Sequence, residues 1–274
     1  MSQCRINRLL IGNPAPVRIM GVINCSPESF FPGSCVRPGD IVESSMNMIR
    51  EGADIIDIGG RSTSPRALPV DSGVEAERLE NALMELEGSG ITVSVDTTRP
   101  EVLSRCLRYD IHAVNDIGGL ANVELAEIIA DSGLPAFLMA SRVTPGDPTD
   151  MRMTLDALRV VNSRCITFGI EEYVLDPAIG LWGPGRTGAF DWELCRNFRQ
   201  FTQFERPLLA AVSRKTFIGE LLNRENPADR LIGSIAVTML LLHAGADMVR
   251  CHDVTETAEA IRVFEKMEGN ENEK

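Results

Sequence analysis

A chain of 274 residues that is 44% hydrophobic has enough apolar material for a large core, and α/β barrels of about 250 residues form one domain. With 39 acidic against 27 basic residues the net charge is −12, which argues against a nucleic-acid or anionic-membrane surface, so an anionic ligand needs locally clustered cations. There is no run of 18 apolar residues and no leader-like N-terminus, and the seven cysteines (Cys4, Cys25, Cys35, Cys106, Cys165, Cys195, Cys251) are scattered, odd in number and without a Cys-x-x-Cys; neither a membrane span, a disulfide framework nor a zinc site is expected, and a cytoplasmic location with reduced thiols is.

Residues 1–17 are weakly patterned and fit a lead-in strand capping one end of the fold. Residues 18–24 (Arg-Ile-Met-Gly-Val-Ile-Asn) read as a buried strand ending on Asn24, followed by a Pro-, Gly- and Ser-rich loop over 25–39. Asp40 and Glu43 resemble a capping box that opens a helix with Val42, Met46 and Ile49 inward, ended by Gly52. The scheme then repeats. Strand 55–60 leads through a polar loop to a helix opened by Ser72 and Glu75, with Leu79, Leu83 and Leu86 inward. Strand 91–96 leads to a helix boxed by Thr98 and Glu101 with Pro100 in its first turn, and strand 113–116 ends in Asn115-Asp116.

Strand 135–139 precedes a loop to Asp150 and a helix bearing Leu155, Leu158 and Val161. Strand 173–176 ends at Asp176; a glycine-rich loop follows (Gly183, Gly185, Arg186, Gly188), then a helix with Leu194, Phe198 and Phe201 at i, i+4 and i+7. The stretch 208–219 is an apolar strand that closes on a hydroxyl and two cations, Ser213, Arg214 and Lys215. A short helix, a second at about 227–243, strand 248–252 and a helix at 255–267 complete the pattern.

Eight strand-helix units in strict alternation predict one (β/α)8 TIM barrel over 18–268, with the lead-in 1–17 and a polar tail 269–274 outside it; an open doubly wound sheet is the alternative. The longer loops follow the strands, so the C-terminal face is the functional one. Asn24, Asp57, Asp96, Asn115, Met139, Asp176, Lys215, Arg250 and His252 are predicted to ring a single pocket there. Asp96, Asp176 and Asn115 suit the hydrogen-bonding edge of an amino-pyrimidinone. Lys215, Arg250 and His252 suit phosphate oxygens, and Asn24 offers an amide oxygen to Mg2+. Taken singly, Asp96 and Asp176 fit helix caps as well as a function. Arg214 reads as a structural ion-pair partner, Arg61 and Arg66 as solvated charges, His112 and His243 as packing or surface residues, and Phe30 and Phe31 as core or as cover for the pocket.

The stretches 24–30 (Asn-Cys-Ser-Pro-Glu-Ser-Phe), 52–60 (Gly-Ala-Asp-Ile-Ile-Asp-Ile-Gly-Gly), 94–97, Asn115-Asp116, 175–180, 213–219 and 249–253 together resemble dihydropteroate synthase, in the right order over nearly the whole chain. The resemblance implies that the amine of 4-aminobenzoate attacks the methylene of 6-hydroxymethyl-7,8-dihydropterin pyrophosphate, giving dihydropteroate and pyrophosphate in folate biosynthesis. By position it implies that Asp96, Asn115, Met139, Asp176 and Lys215 hold the pterin, with Asp96 and Lys215 catalytic. Asn24, Arg250 and His252 would take the pyrophosphate, Asn24 its Mg2+, and Thr63, Lys215 and Thr216 the arylamine. A homodimer through late helices is also implied.

The chain departs from the family pattern at Arg61 and Ser64, where Glu and Arg are usual, at Ala140-Ser141 after Met139, where a His is usual, at Ala178 and Leu181 in place of Gly and Phe, and at Thr216 in place of Ser. These altered outer positions motivate a variant that takes a ribosyl-phosphate arylamine of the methanopterin pathway. A pterin-binding module without synthase activity, or a methylpterin-presenting methyltransferase, is the remaining alternative; Lys215, Arg250 and His252, a cationic set, have little to do in it without a phosphate.

Overall fold

The computed structural model describes residues 3–26, 35–62, 67–180, 183 and 185–269. A hairpin of β1 (Cys4–Ile6) and β2 (Leu9–Ile11) precedes eight parallel strands: β3 (Arg18–Asn24), β4 (Ile55–Gly59), β5 (Val93–Asp96), β6 (Ala113–Asp116), β7 (Ala136–Met139), β8 (Tyr173–Asp176), β9 (Leu209–Ala210) and β10 (Met248–Cys251). Their order is β8-β7-β6-β5-β4-β3-β10-β9, and a parallel bridge from Leu175 to Leu208 joins the two ends, with the Leu175 N–H donating to the Pro207 carbonyl at 2.9 Å. The sheet therefore closes as a barrel, and the open-sheet alternative fails. Its strands are nearly uniform apolar runs because helices cover the outside while side chains fill the inside.

The barrel floor is built from Met20, Ile55, Ala113, Phe137, Val174, Leu209 and Met248, against which the hairpin packs Cys4, Ile6 and Ile11. The lead-in is thus two strands rather than one. Asn7 makes the turn in a left-handed conformation (φ 52) that asparagine accepts more readily than most residues.

Around the barrel lie α1 (Ile41–Glu51), α2 (Ser72–Leu86), α3 (Pro100–Cys106), α4 (Val123–Ser132), α5 (Met151–Phe168), α6 (Gly188–Arg196), α7 (Thr216–Leu222), α8 (Leu231–His243) and α9 (Val254–Met267). Several helix starts differ from the sequence reading because tertiary partners take the capping groups. Asp40 makes no side-chain cap; the Glu85 carboxylate from α2 instead accepts from the N–H groups of Gly39 (2.7 Å) and Ile41 (3.3 Å). Asp71, not Ser72, caps α2, and Arg99, not Thr98, stands at the cap of α3 without a side-chain bond. Met46 faces solvent, while Ile41 and Ser45 are buried.

Two expected helices are broken. After α6 the chain continues from Asn197 as a 3-10 helix, Phe198–Phe204, so Phe198 and Phe201 reach the core from a tighter coil. Likewise Pro227–Arg230 is a 3-10 turn ahead of α8. Strand β9 is only two residues long, and four residues past its end Arg214 turns the chain at φ 57.

Candidate active site

Parallel register brings the polar strand ends level at the C-terminal rim. Asn24 pairs with Gly59, Gly59 with Asp96, Asp96 with Asn115, and Met139 with Asp176. Asp57 lies two residues deeper in β4, fully buried. Its Oδ2 accepts from Arg250 Nε at 2.7 Å and from Asn115 Nδ2 at 2.9 Å, and Arg250 Nη2 donates to Asp96 Oδ2 at 3.1 Å. Four residues from β4, β5, β6 and β10 thus form one network. The remaining oxygens, Asp57 Oδ1 and Asp96 Oδ1, are buried without a hydrogen-bond partner among the described residues. Buried acceptors of that kind are expensive unless a ligand meets them.

Burial, then the neighbouring Asp57 carboxylate, pushes the Asp96 pKa up to about 7 against the opposing pull of Arg250 and Arg61. Asp96 is therefore balanced between accepting from and donating to a ligand near neutral pH. Arg250 is held above its ordinary value by the same two carboxylates, Asp57 and Asp96, despite burial.

Across the pocket, β8 ends on Asp176, whose Oδ1 accepts from the Ala178 N–H at 2.7 Å, and burial raises its carboxyl. Burial lowers the Lys215 ammonium, with Asp176 opposing. The stem of Lys215 lies against Gly180 (φ 75), where a Cβ would stand 2.7 Å from Lys215 Cγ, so the close approach requires glycine. That loop is anchored by a fully buried ion pair, Arg186 to Asp191 at 2.9 Å. Asp191 also accepts from the Gly180 N–H at 2.9 Å, and Arg186 donates to the carbonyls of Ala178 (2.7 Å) and Pro148 (2.9 Å). The sequence reading placed Arg186 in a glycine-rich loop but did not pair it; the signal for the pair was an Arg and an Asp five residues apart.

Ser213 Oγ and His252 Nδ1 share a hydrogen bond of 2.9 Å, and the His252 N–H donates to Ser213 Oγ at 3.2 Å. Burial, followed by the charges of Arg250, Lys215 and Arg214, drives the His252 pKa down to about 3. His252 is consequently a neutral hydrogen-bonding group and not the cation that its place beside Lys215 and Arg250 suggested. Arg214 is structural, as expected: it meets Asp253 at 2.9 and 2.5 Å and donates to the carbonyls of Pro227 and Ala228.

Arg61 is not a solvated charge. Its Nε lies 2.9 Å from Glu75 Oε2 and Arg99 Nη1 lies 3.0 Å from the same oxygen, charge contacts off the line of a hydrogen bond. Arg61 Nη2 donates to Thr98 Oγ1 at 2.8 Å, and Thr97 Oγ1 donates to Glu75 Oε1 at 2.7 Å. Glu75, fully buried, thus ties the β4 and β5 loops to α2 instead of closing a capping box. Thr216 opens α7 directly after Lys215. Thr63, Ser64, Arg66, Phe30, Phe31 and Leu181 lie outside the described residues.

Among the described residues no group of three or more His, Cys, Asp or Glu side chains is placed to hold a metal. Asn24 ends β3 with its amide oxygen 3.6 Å from the position a Cβ would take on Gly59, over a part of the rim left open by glycine. One neutral oxygen of this kind suits Mg2+ only when substrate oxygens and water complete its shell.

A family model described as pterin binding enzyme matches residues 20–252. Dihydropteroate synthase of Escherichia coli (strain K12) is 35% identical over 258 residues, covering 90% of each chain. The Yersinia pestis dihydropteroate synthase solved with a sulfonamide drug superposes with a TM-score of 0.89 at 31% identity, covering 98% of this chain and 100% of that one. The Thermus thermophilus enzyme solved with 4-aminobenzoate gives 0.82 at 29% identity, over 97% of this chain and 100% of that one. With its barrel, its strand-end network and these likenesses over almost its whole length, the chain belongs to the dihydropteroate synthase family of pterin-binding enzymes.

Proposed function

We propose that this pocket condenses 6-hydroxymethyl-7,8-dihydropterin pyrophosphate with 4-aminobenzoate, releasing pyrophosphate and 7,8-dihydropteroate for folate synthesis. The observation that carries the reading is that the buried oxygens of Asp57 and Asp96, partnerless among the described residues and beside Asn115, share one network with the cation Arg250, which bonds both aspartates. The carboxylates and the amide match the N–H edge of a pterin, and the guanidinium matches a departing diphosphate.

Asp96, Asn115, Asp176 and Lys215 would hold the ring, with Met139, buried at the end of β7, beside it. Arg250, His252 and Asn24 would hold the pyrophosphate, His252 as a neutral donor or acceptor. Thr63, Lys215 and Thr216 would meet the amine. A bound Mg2+ would sit on Asn24 and offset charge on the leaving group. An arylamine is a neutral nucleophile, so no strong base is required. The protein's task is to align the amine with the methylene, stabilise its developing positive charge through Asp96, and receive the diphosphate.

The relative solved with 4-aminobenzoate supports that amine. Arg61, one of the altered outer residues that motivated a phosphorylated amine, is engaged by Glu75 and Thr98, which removes its share of that motive. We also place the enzyme in the cytoplasm as a homodimer: all seven cysteines are free thiols, and no described helix is long and apolar enough to cross a membrane. The exposed side of α8 carries Ile232, Ala236 and Leu240, an apolar stripe suited to a second copy.

Competition between 4-aminobenzoate and its ribosyl-phosphate derivative for turnover tests the amine. Product from 4-aminobenzoate alone is expected; preferential use of the phosphorylated amine would overturn the reading.

A further inference from the structure

Strand β4 places an aspartate inside an apolar run, Ile55-Ile56-Asp57-Ile58-Gly59, with all five residues buried. A carboxylate in that setting carries a heavy desolvation penalty unless it is matched. Here two donors from two other strands meet one of its oxygens: Arg250 Nε from β10 at 2.7 Å and Asn115 Nδ2 from β6 at 2.9 Å. The other oxygen is buried and partnerless among the described residues, an arrangement more typical of a site kept for function than of an ion pair kept for stability.

An ionised carboxylate only accepts hydrogen bonds. Its contact with Asn115 therefore decides the polarity of that amide: the NH2 turns to Asp57, and the carbonyl oxygen is left for a ligand donor. Its contact with Arg250 Nε sets the plane of the guanidinium, whose Nη2 then reaches Asp96 at 3.1 Å. One side chain so governs a group on the ring side of the pocket and a group on the phosphate side.

We propose that Asp57 is the positioning residue for both halves of the substrate, holding Asn115 as an acceptor for a ring N–H and Arg250 in the orientation that meets the pyrophosphate. The inference rests on the synthase reading and adds to it a residue through which the two sub-pockets are joined. It differs from a purely structural role in one respect: a structural aspartate changes how much protein is folded, whereas a positioning aspartate changes the affinity of the protein that is folded.

The test uses wild type, Asp57→Asn, Arg250→Gln and the double variant, with 6-hydroxymethylpterin as ring probe, inorganic pyrophosphate with Mg2+ as phosphate probe, thermal unfolding, and the KM for 4-aminobenzoate. Asp57→Asn is expected to weaken both probes about tenfold or more, the loss of a charge-assisted hydrogen bond to each side, with the 4-aminobenzoate KM within about twofold. In the Arg250→Gln background the same substitution is expected to weaken the ring probe still, through Asn115, and to leave pyrophosphate affinity unchanged. Unaltered ring affinity in folded Asp57→Asn would overturn the inference, as would a loss of both probes in proportion to the unfolded fraction. If Asp57→Asn does not fold, the double variant, which removes both buried charges together, is compared with Arg250→Gln, and equal ring affinities overturn it. Wild-type protein that binds neither probe would overturn the synthase reading itself, a result separable from any difference between variants.

Discussion

Asp96 and His252 are pushed in opposite senses by the same surroundings. Asp96 has its carboxyl raised from 3.8 to about 7, by burial and then by Asp57, with Glu75 adding a little and Arg250 and Arg61 opposing. Because the folded group binds its proton more tightly than the unfolded one, its contribution to stability is complete below about 3.8 and is lost as pH rises through about 7. Asp96→Asn is therefore expected to melt above wild type at pH 8, with the gap narrowing toward pH 5, and to lose turnover at both; an equal gap at the two pH values would contradict the assignment. His252 is depressed from 6.5 to about 3, so its contribution is complete above 6.5 and is lost as pH falls through about 3. The identities of these residues were legible in the sequence because Asp96 ends β5 and His252 follows β10 directly. Their charge states were not, since those depend on neighbours drawn from β4, β10 and α2.

At the level of elements, the strands could be read directly because a strand buried on both faces has to be an apolar run. The caps could not, because Glu75 and Glu85, placed where local rules expect capping or solvent, serve loops elsewhere in the chain. The β8 loop gives a test of such loop anchoring. Ala178 sits at φ 63, where the family usually carries glycine, held by the Asp176 carboxylate on its N–H and by Arg186 on its carbonyl. An L-residue there costs about 1–2 kcal/mol, against which glycine adds about 0.4–1 kcal/mol of unfolded-chain entropy. Ala178→Gly is accordingly expected to stabilise by about 0.5–1 kcal/mol, seen as a small rise in the denaturant midpoint. A fall would show that the loop is not strained at this position.

For the molecule as a whole, one end of the barrel is sealed and the other is chemical. The hairpin closes the floor with Cys4, Ile6 and Ile11, and the polar residues collect at the opposite rim. Alternation of strands and helices made this polarity legible and the count of eight units made closure legible, whereas the bridge between Leu175 and Leu208 that completes it has no motif of its own. The proposed dimer belongs to the same scale: Ile232 is 83% and Leu240 68% exposed on α8. Leu240→Glu is expected to shift the protein from dimer to monomer in light scattering, and a monomeric wild type would remove the proposed interface.

The most direct measurement is pyrophosphate release from 6-hydroxymethyl-7,8-dihydropterin pyrophosphate and Mg2+, with and without 4-aminobenzoate, for wild type and Lys215→Ala. Release that depends on the amine in wild type and falls at least about a hundredfold in the variant, as removal of a buried charged partner should cause, is the expected result. Release that ignores the amine, or that survives in Lys215→Ala, would contradict the account of this rim as the site of arylamine transfer.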